Sequence, residues 1–247
     1  MTLNEMIYKR QSCRSFSNAP LSEDLLNDIE DFGDRLKPLN ENIKTEFVIV
    51  DHKDIKSITG WKAPHYIAIF SERKPGFGVN VGFMFQQMDL YLQSKGLGCC
   101  WLGMAMLSPR SKKDFEFLAY DPDKAEIEEM PFVILLGFGR TNKCRQRNPK
   151  DFQRKIMSQI ADTYDDRLEP ARLAPSARNK QPWFFTHEGK SINIYFNKQR
   201  APGKLNQIDI GIALAHMYIS NTDSFKFYLE ENPKEIKGLH YMGSFTI

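Results

Sequence analysis

The stretch LAPSARNKQPWFF, from Leu173 to Phe185, combines two prolines, several hydrogen-bonding side chains and a tryptophan within thirteen residues. Pro175 and Pro182 restrict the backbone and remove two N–H donors, so a regular helix cannot run through this stretch. Ser176 and Asn179 are residues that favour turns. We therefore expect a rigid loop that carries polar side chains.

The end of the same stretch has the features of a ligand-binding loop. The amide of Gln181 offers both a donor and an acceptor. Trp183 can fix the segment by burying a large apolar face. Fixed polar groups next to a buried indole suit the recognition of a flat heteroaromatic ligand.

A second polar segment, KRQSCRSF, lies near the start of the chain. Arg10, Ser12 and Arg14 alternate, so in an extended segment their side chains point to one side. Two guanidinium groups and a hydroxyl on one side suit a phosphate. From the alternation alone, a solvated basic arm is the better interpretation.

Composition excludes several classes of protein. The chain has 247 residues, 41% of them hydrophobic and 26% charged, which allows one large domain or two small ones. The net charge of +3 is too small to indicate a nucleic-acid-binding protein. No segment resembles a signal peptide or a membrane-spanning run, so we expect a cytoplasmic protein with no membrane partner.

The cysteines show no metal-binding or disulfide pattern. None of the four forms a CxxC pair, two of them are adjacent, and the five histidines do not cluster with them. We therefore expect neither a disulfide framework nor a zinc site, and no metal. The cysteines are Cys13, Cys99, Cys100 and Cys144.

Hydrophobic periodicity predicts alternating helices and strands. Predicted strands are TEFVIVD (45–51), HYIAIFS (65–71), MPFVILLGFG (130–139), the residues that follow the proline-rich loop, and KSINIYFN (190–197). Predicted helices lie within 21–39, 78–98, 149–170 and 207–221. The strand at 130–139 is apolar throughout and is expected at the centre of a sheet. The helix at 78–98 is apolar on most faces, so we expect it to be buried or at an interface.

The second half of the chain repeats the first in outline. KPLNENIKTEF matches APSARNKQPWF at an offset of 137 residues, and VGFMFQQM matches IGIALAHM at an offset of 129. Gly82 then corresponds to Gly211, and Asn42 to Asn179. An internal duplication explains these matches. Because the identities are few, coincidence between two α/β segments remains the alternative.

Four segments together resemble the FMN-dependent nitroreductase family. They are RQSCRSF followed by LSEDLL, the loop APSARNKQPWFF, SKGLGCCWLG, and MPFVILLGFGRTNKCRQRNP. The resemblance implies an α+β, nitroreductase-like fold with mixed sheets and flanking helices. The order of the segments departs from the family pattern, because the intact loop lies only in the second half and the arm only in the first.

This departure resembles tandem, single-chain nitroreductase-like proteins. The family builds its flavin site from the arm and tail of one subunit and the loop of the other. One chain that keeps one arm and one loop would form a pseudo-dimer with a single site. We therefore expect two tandem halves, 1–148 with the phosphate arm and a shorter, degenerate 149–247 with the loop, and a monomer that binds one FMN.

The resemblance also implies roles for individual residues. The arm would hold the phosphate and ribityl chain through three side chains and two backbone segments, and two arginines of the tail would reach the phosphate. Residues 102–104 would approach the flavin ring, and the loop would line it. The arm residues are Arg10, Gln11, Ser12, Cys13 and Arg14; the others are Leu102, Gly103, Met104, Arg145, Arg147, Pro175, Ser176, Asn179 and Gln181.

The reaction implied is that of an NAD(P)H oxidoreductase acting on nitroaromatics, quinones or similar acceptors. No catalytic acid or base is expected, since the cofactor carries the chemistry. Two alternatives stay open: a module that binds a flavin or another flat ligand without turnover, and specialised flavin chemistry on the same fold. A yellow protein that NADH or NADPH bleaches without air would favour the oxidoreductase.

Overall fold

The computed structural model describes residues 1–115, 130–144, 146–197 and 201–247. They form two compact units. The first unit contains residues 1–9, 78–87 and 147–247, and the second contains 10–77 and 88–146. The long central helix therefore contributes its first half to one unit and its second half to the other.

The second unit is built around a four-stranded antiparallel sheet. Its strands are β1 (Thr45–Asp51), β3 (His65–Ser71), β4 (Gly98–Leu102) and β6 (Phe132–Gly139), in the spatial order β1-β3-β6-β4. The predicted strands at 45–51, 65–71 and 130–139 are confirmed, and β6 does lie inside the sheet. These segments form strands because their β-branched and aromatic side chains fit a pleated, buried surface.

Helices and a small ribbon complete this unit. Helix α2 (Glu23–Gly33) confirms the prediction within 21–39. The short strands β2 (Ile55–Ser57) and β5 (Ala105–Leu107) pair as an antiparallel ribbon, and α4 (Pro109–Asp114) follows the second of them. Apolar side chains from the ribbon and from the sheet pack into one core cluster, which includes Ile55, Leu107, Tyr66 and Leu135.

The first unit contains a second four-stranded antiparallel sheet. Its strands are β7 (Trp183–Glu188), β8 (Ser191–Asn197), β9 (Lys226–Tyr228) and β10 (Leu239–Thr246), in the order β7-β8-β10-β9. The two sheets have the same topology. In each, the first two strands in sequence are neighbours at one edge, the fourth strand lies next to the second, and the third strand forms the opposite edge. The sequence did not predict β9 and β10, and a bulge at Gly243 interrupts the periodicity of β10.

The helices of the first unit are α1 (Leu3–Ile7), α5 (Glu169–Leu173) and α6 (Lys204–Ser220). The central helix α3 (Phe77–Ser94) adds residues 78–87. Helix α3 is buried along most of its length, as its apolar faces predicted. It crosses α6 closely, since a side chain on Gly82 would overlap the backbone of Ile208. Only glycine allows two helix backbones to approach in this way.

The prediction of a helix over residues 149–170 is wrong. This segment contains three short 3₁₀ turns, at Pro149–Asp151, Met157–Gln159 and Asp166–Leu168, and only its end joins α5. Ala161 forms an isolated parallel bridge with Phe185, next to the sheet. The segment runs along the unit and buries Phe152, Met157 and Leu168 one after another, so its helical spacing was misleading.

No helix in the described residues is both long enough and apolar enough to span a bilayer. Those residues also contain no group of three or more histidine, cysteine or acidic side chains that could hold a metal ion.

Candidate functional site

The arm begins with a buried ion pair. Arg10 Nε donates to Asp89 Oδ2 at 2.7 Å, and the two side chains are 1% and 0% exposed. Arg10 Nη2 donates to Ser12 Oγ at 3.3 Å. Arg10 and Ser12 therefore lie on one side of the arm, as their alternation predicted. Asp89 also accepts from Gln93 Nε2 at 3.0 Å, which holds the carboxylate on its helix.

The three alternating side chains all affect the pKa of one buried thiol. Burial raises the pKa of Cys100 and Asp89 adds to this rise, while the charges of Arg14 and Arg10 and a hydrogen bond with Ser12 lower it. Arg10 is buried, whereas Arg14 is exposed. We call the side chains of Arg10, Ser12 and Arg14 the arginine cluster.

The backbone of the arm is already engaged in the fold. The N–H of Gln11 donates to Gln93 Oε1 at 2.8 Å, and the N–H of Cys13 donates to the carbonyl of Cys99 at 2.8 Å. Ser12 and Cys99 also form an isolated parallel bridge at the edge of β4. The N–H groups that the sequence offered for a ligand at Gln11 and Cys13 are therefore used to fix the direction of the arm.

A disulfide joins Cys13 to Cys144, which corrects the expectation of no disulfide. The two Cα atoms are 5.7 Å apart and the residues are 131 positions apart in sequence. Tertiary contacts bring the partners together: Thr141 Oγ1 donates to Ser15 O at 2.7 Å, and the N–H of Ser17 donates to Arg140 O at 2.8 Å. No spacing rule could reveal this pair, because its partners meet only in the folded chain.

The glycine-containing turn after β4 is exposed. Leu102 ends the strand and is 4% exposed, while Met104 is 57% exposed. Gly103 lies between them in the turn that leads to β5. The predicted ring-facing segment therefore presents its backbone at the surface of the second unit.

Of the two predicted tail arginines, only Arg147 is among the described residues. Arg145 lies outside the described residues. Arg147 belongs to the first unit, where its N–H donates to Lys9 O at 2.9 Å. Its guanidinium carbon is 5.5 Å from the ring centroid of Phe152, and that of Arg154 is 5.4 Å from the same ring. Both distances are within the range of cation–π contacts.

The loop from Pro175 to Gln181 has a strained backbone. Arg178, Asn179 and Gln181 have φ angles of 53°, 54° and 45°. The left-handed region costs an L-residue about 1–2 kcal/mol, and asparagine tolerates it best. The surrounding structure must hold three such residues in place.

Residues 153–155 hold this loop through backbone groups and the side chain of Arg154. Arg154 Nη1 donates to Asn179 Oδ1 at 2.9 Å, and Asn179 Nδ2 donates to Gln153 O at 2.8 Å. The N–H of Lys155 donates to Gln181 Oε1 at 2.7 Å, and Gln181 Nε2 donates to Asn179 O at 3.0 Å. Gln181 is 3% exposed, so its amide stabilises the loop from inside.

The start of the loop is fixed from the other side. Pro175 is buried, Ser176 is half-buried, and Ser176 Oγ accepts the N–H of Gln181 at 2.8 Å. The N–H of Ala177 donates to Asp209 Oδ1 on α6 at 2.8 Å. No pattern in the sequence indicated Arg154, Lys155 and Asp209 as supports of the loop. The first two stood in a segment interpreted as helix, so nothing in the sequence connected them to residues 25 positions away.

The predicted site residues thus form two groups, each within its own unit. The second unit contains the arginine cluster and the turn at 102–104, and the first contains Arg147 and the loop at 175–181. Three open clefts, of about 360, 380 and 550 Å³, are found in the described part of the chain. The arm and the loop line none of these three.

Comparison with known proteins identifies the family. Residues 2–221 match the model of the family described as "Putative TM nitroreductase". A "putative nitroreductase" from Thermotoga maritima has a similar structure, with a TM-score of 0.65 at 21% identity, over 99% of this chain and 92% of that one.

Smaller nitroreductases match part of the chain. A nitroreductase with bound FMN from Desulfitobacterium hafniense has a TM-score of 0.45 at 16% identity, covering 67% of this chain and 100% of that one. An FMN-dependent nitroreductase from Clostridium difficile has a TM-score of 0.43 at 16% identity, covering 60% and 93%. A comparison with curated proteins found no match.

The family match spans most of the chain, and the Thermotoga maritima structure shares its α+β architecture of several sheets with flanking helices. The chain therefore has a nitroreductase-like fold and belongs to the family described as "Putative TM nitroreductase".

Proposed function

We propose that the chain binds FMN and acts as an NAD(P)H-dependent oxidoreductase that reduces nitroaromatic compounds, quinones or similar acceptors. Membership in a nitroreductase family supports an oxidoreductase. The observation that carries the proposal is the hydrogen bond from Arg10 to Ser12, with the exposed Arg14 two residues further along the same arm. Guanidinium groups and a hydroxyl suit the oxygens of a phosphate.

The arginine cluster suits the phosphate of FMN because it is rigid at Arg10 and carries an exposed charge at Arg14. Arg10 is fixed by Asp89, so its guanidinium is held in place before any ligand binds. Arg14 is exposed and can close on a bound phosphate. A fixed cation beside an exposed one combines pre-organisation with access. In this proposal Gln11 and Cys13 set the direction of the arm, and Arg145 and Arg147 add positive charge from the tail.

The loop suits the recognition of a flat ring. Its hydrogen bonds to Arg154, Lys155 and Asp209 make it rigid without any ligand. We propose that Pro175, Ser176, Asn179 and Gln181 shape the surface that borders the flavin, with Ser176 and Asn179 accessible to it. The turn of Leu102, Gly103 and Met104 is proposed to approach the ring through its backbone.

The bound cofactor would supply the redox chemistry, since the ring nitrogen N5 of FMN accepts a hydride from a nicotinamide and the flavin then reduces an acceptor. The residues of this chain would bind the phosphate, orient the ring and leave one face open. No catalytic acid or base is assigned.

We also propose that the chain is a tandem pseudo-dimer, with halves 1–148 and 149–247 and one FMN per monomer. Two features that the sheets have in common support this tandem arrangement. The two sheets have the same strand order, and each has a long helix between its second and third strands in sequence. The compact units do not coincide with the halves, because residues 1–9 and 78–87 join the unit built mainly from the second half.

The proposed location is the cytoplasm. There, glutathione and thioredoxin keep thiols reduced, and a disulfide such as Cys13–Cys144 would be reversible.

Anaerobic titration tests the proposed function. The purified chain is saturated with FMN, freed of excess ligand, and mixed with NADH or NADPH without air. Bleaching of the flavin absorbance, followed by its return when a quinone or nitroaromatic compound is added, is the expected result. A chain that retains FMN but is bleached by neither nucleotide would be a binding module instead, and a chain that retains no FMN would refute the proposal.

A further inference from the structure

The most strained part of the loop carries two cations that the fold does not use. Arg178 and Lys180 are exposed, and their side chains have no hydrogen-bond or ion-pair partner among the described residues. Arg178 nevertheless occupies the left-handed region, with φ 53° and ψ 27°. Glycine or asparagine would suit this position better, so the folded structure gives no reason for an arginine there.

The strain is imposed from both sides of Arg178. Before it, the N–H of Ala177 is bound by Asp209; after it, Asn179 is bound by Arg154 and by the carbonyl of Gln153. The backbone between these points has little freedom. The arginine is therefore presented outward from a fixed base, an arrangement that functional sites use more than surface loops do.

Most backbone N–H groups of the loop already have acceptors within the fold. The N–H groups of Asn179 and Lys180 donate to the carbonyls of Ser176 and Ala177 at 2.9 and 3.2 Å, and that of Gln181 donates to Ser176 Oγ at 2.8 Å. Pyrophosphates are commonly bound by backbone N–H groups at glycine-rich loops and helix starts. Because these N–H groups are engaged, an anion at the loop would be bound mainly by side chains.

A terminal phosphate suits recognition by side chains alone. The guanidinium fork of arginine matches two phosphate oxygens, and a neighbouring lysine adds a point charge. In dinucleotide-binding proteins, an arginine commonly accommodates the 2′-phosphate that distinguishes NADPH from NADH. Arg154 and Lys155 are two further basic residues that contact the loop, through Asn179 Oδ1 and Gln181 O.

We propose that Arg178, assisted by Lys180, binds the 2′-phosphate of NADPH, so that the chain prefers NADPH to NADH. This inference rests on the proposed function, because it takes a nicotinamide dinucleotide as the hydride donor. It goes beyond that function by assigning the specificity for the donor to two named residues.

The test compares Arg178→Gly, Arg178→Lys and the wild type, all loaded with FMN. Calorimetric titration with NADP⁺ and with NAD⁺ measures the affinity for the two nucleotides. We expect the wild type to bind NADP⁺ more tightly. Arg178→Gly should lose at least about tenfold in affinity for NADP⁺, the effect of one charge-assisted hydrogen bond, and nothing for NAD⁺. Arg178→Lys should lose less.

Lys190→Ala is the matched control. Lys190 is an exposed cation of the same unit, on the hairpin between β7 and β8. The variant should bind both nucleotides as the wild type does. Equal losses in Lys190→Ala and Arg178→Gly would show that only the overall charge matters and would overturn the proposal.

A second measurement does not depend on any ligand. If the role of Arg178 is to bind a ligand, the fold itself does not need this side chain, and glycine at this position relieves the backbone strain. The ligand-free Arg178→Gly variant should then unfold at the same temperature as the wild type or at a higher one. A lower midpoint would indicate a structural role and overturn the proposal.

Two further results are informative. Unchanged NADP⁺ affinity in Arg178→Gly would refute the assignment, and a loss of FMN affinity would assign Arg178 to the flavin instead. Failure of the proposed function is distinguishable, since then the wild type itself would retain no FMN or would not be bleached by either nucleotide.

Discussion

Gly82 and Gly211 occupy reciprocal positions where helices α3 and α6 cross. A side chain on Gly82 would overlap the carbonyl of Ile208, and one on Gly211 would overlap the carbonyl of Val79. Each glycine therefore meets the residue three positions before the other. Two copies of one element packed around a two-fold axis show this pattern. The match between Gly82 and Gly211 in the sequence repeat thus has a structural counterpart, which supports the proposed duplication.

Either glycine should be intolerant of a side chain. We expect Gly82→Ala and Gly211→Ala each to lower the free energy of unfolding by about 3 kcal/mol, at the upper end of typical overpacking costs, because the overlapping atoms are backbone and cannot move aside. Urea denaturation measures the change. The control is Gly60→Ala, where nothing lies within 4 Å of the added carbon. Similar stability of all three variants would contradict the close crossing.

The arm should contribute directly to the affinity for FMN. Arg14→Ala should weaken binding by about 1.5–3 kcal/mol, the range for a hydrogen bond to a charged group. Fluorescence titration of the flavin-free chain gives the dissociation constant. Arg110→Ala, an exposed arginine of the same unit, is the control and should bind FMN normally. An unchanged affinity in Arg14→Ala would remove the arm from the site.

The number of flavins per chain tests the tandem arrangement. If one chain supplies one arm and one loop, it should be a monomer that binds one FMN. Light scattering gives the mass, and flavin absorbance relative to protein concentration gives the ratio. Two flavins per chain would contradict the single-site proposal. A dimer with one flavin per chain would retain the site and refute the monomer.

Thiol chemistry should distinguish the four cysteines. The oxidised chain should show two thiols after denaturation, from Cys99 and Cys100, and four after reduction. In the folded chain neither free thiol should react readily, since burial raises the pKa of both. Reduction should also lower the free energy of unfolding by about 4–5 kcal/mol, as the chain-entropy model gives for a loop of this length. Four thiols without reduction would exclude the disulfide.

A carboxylate of the first unit should make the stability of the protein depend on pH in the acidic range. A hydrogen bond from the Arg167 guanidinium, together with the Arg167 N–H and His187, lowers the pKa of Asp165 from 3.8 to about 2. Because the folded pKa lies below the unfolded one, Asp165 stabilises the protein above about pH 4, and this contribution is lost as the pH falls towards 2. Asp165→Asn should therefore remove up to roughly 2 kcal/mol at pH 7.

Comparison of the wild type with Asp165→Asn checks this pH dependence. Urea denaturation at pH 7, 4 and 2.5 should show the difference between wild type and variant shrinking as the pH falls. A difference that is constant across this range would mean that Asp165 acts through packing and not through its charge.

Much of the fold was predictable because its strands and long helices have strong local patterns. The segments at 45–51 and 65–71 have the predicted bounds, since their β-branched and aromatic residues favour strands wherever they are placed. The segment at 149–170 was not predictable in the same way. Its apolar residues Met157, Ile160 and Ala161 have helical spacing and do share one turn, in which the N–H groups of Ile160 and Ala161 donate to Met157 O at 2.9 Å, but no helix continues from this turn.

The candidate site was predictable only in part, for a similar reason. The alternation of Arg10 and Ser12 depends on the backbone of one short segment, and it holds in the structure. The partner of Arg10, Asp89, is 79 positions away, and no local pattern connects the two. The support of Asn179 by Arg154 likewise depends on how distant segments pack.

The disulfide between Cys13 and Cys144 divides the chain into a covalently closed ring and two open ends, and this division affects the two units differently. The bond closes a ring that contains almost all of the second unit, while the first unit consists of both free ends of the chain and one short piece of the ring, residues 78–87. A single backbone cut between residues 13 and 144 would leave the oxidised fragments linked, so they would separate on a gel only after reduction. A cut in the C-terminal hundred residues would release a fragment under either condition.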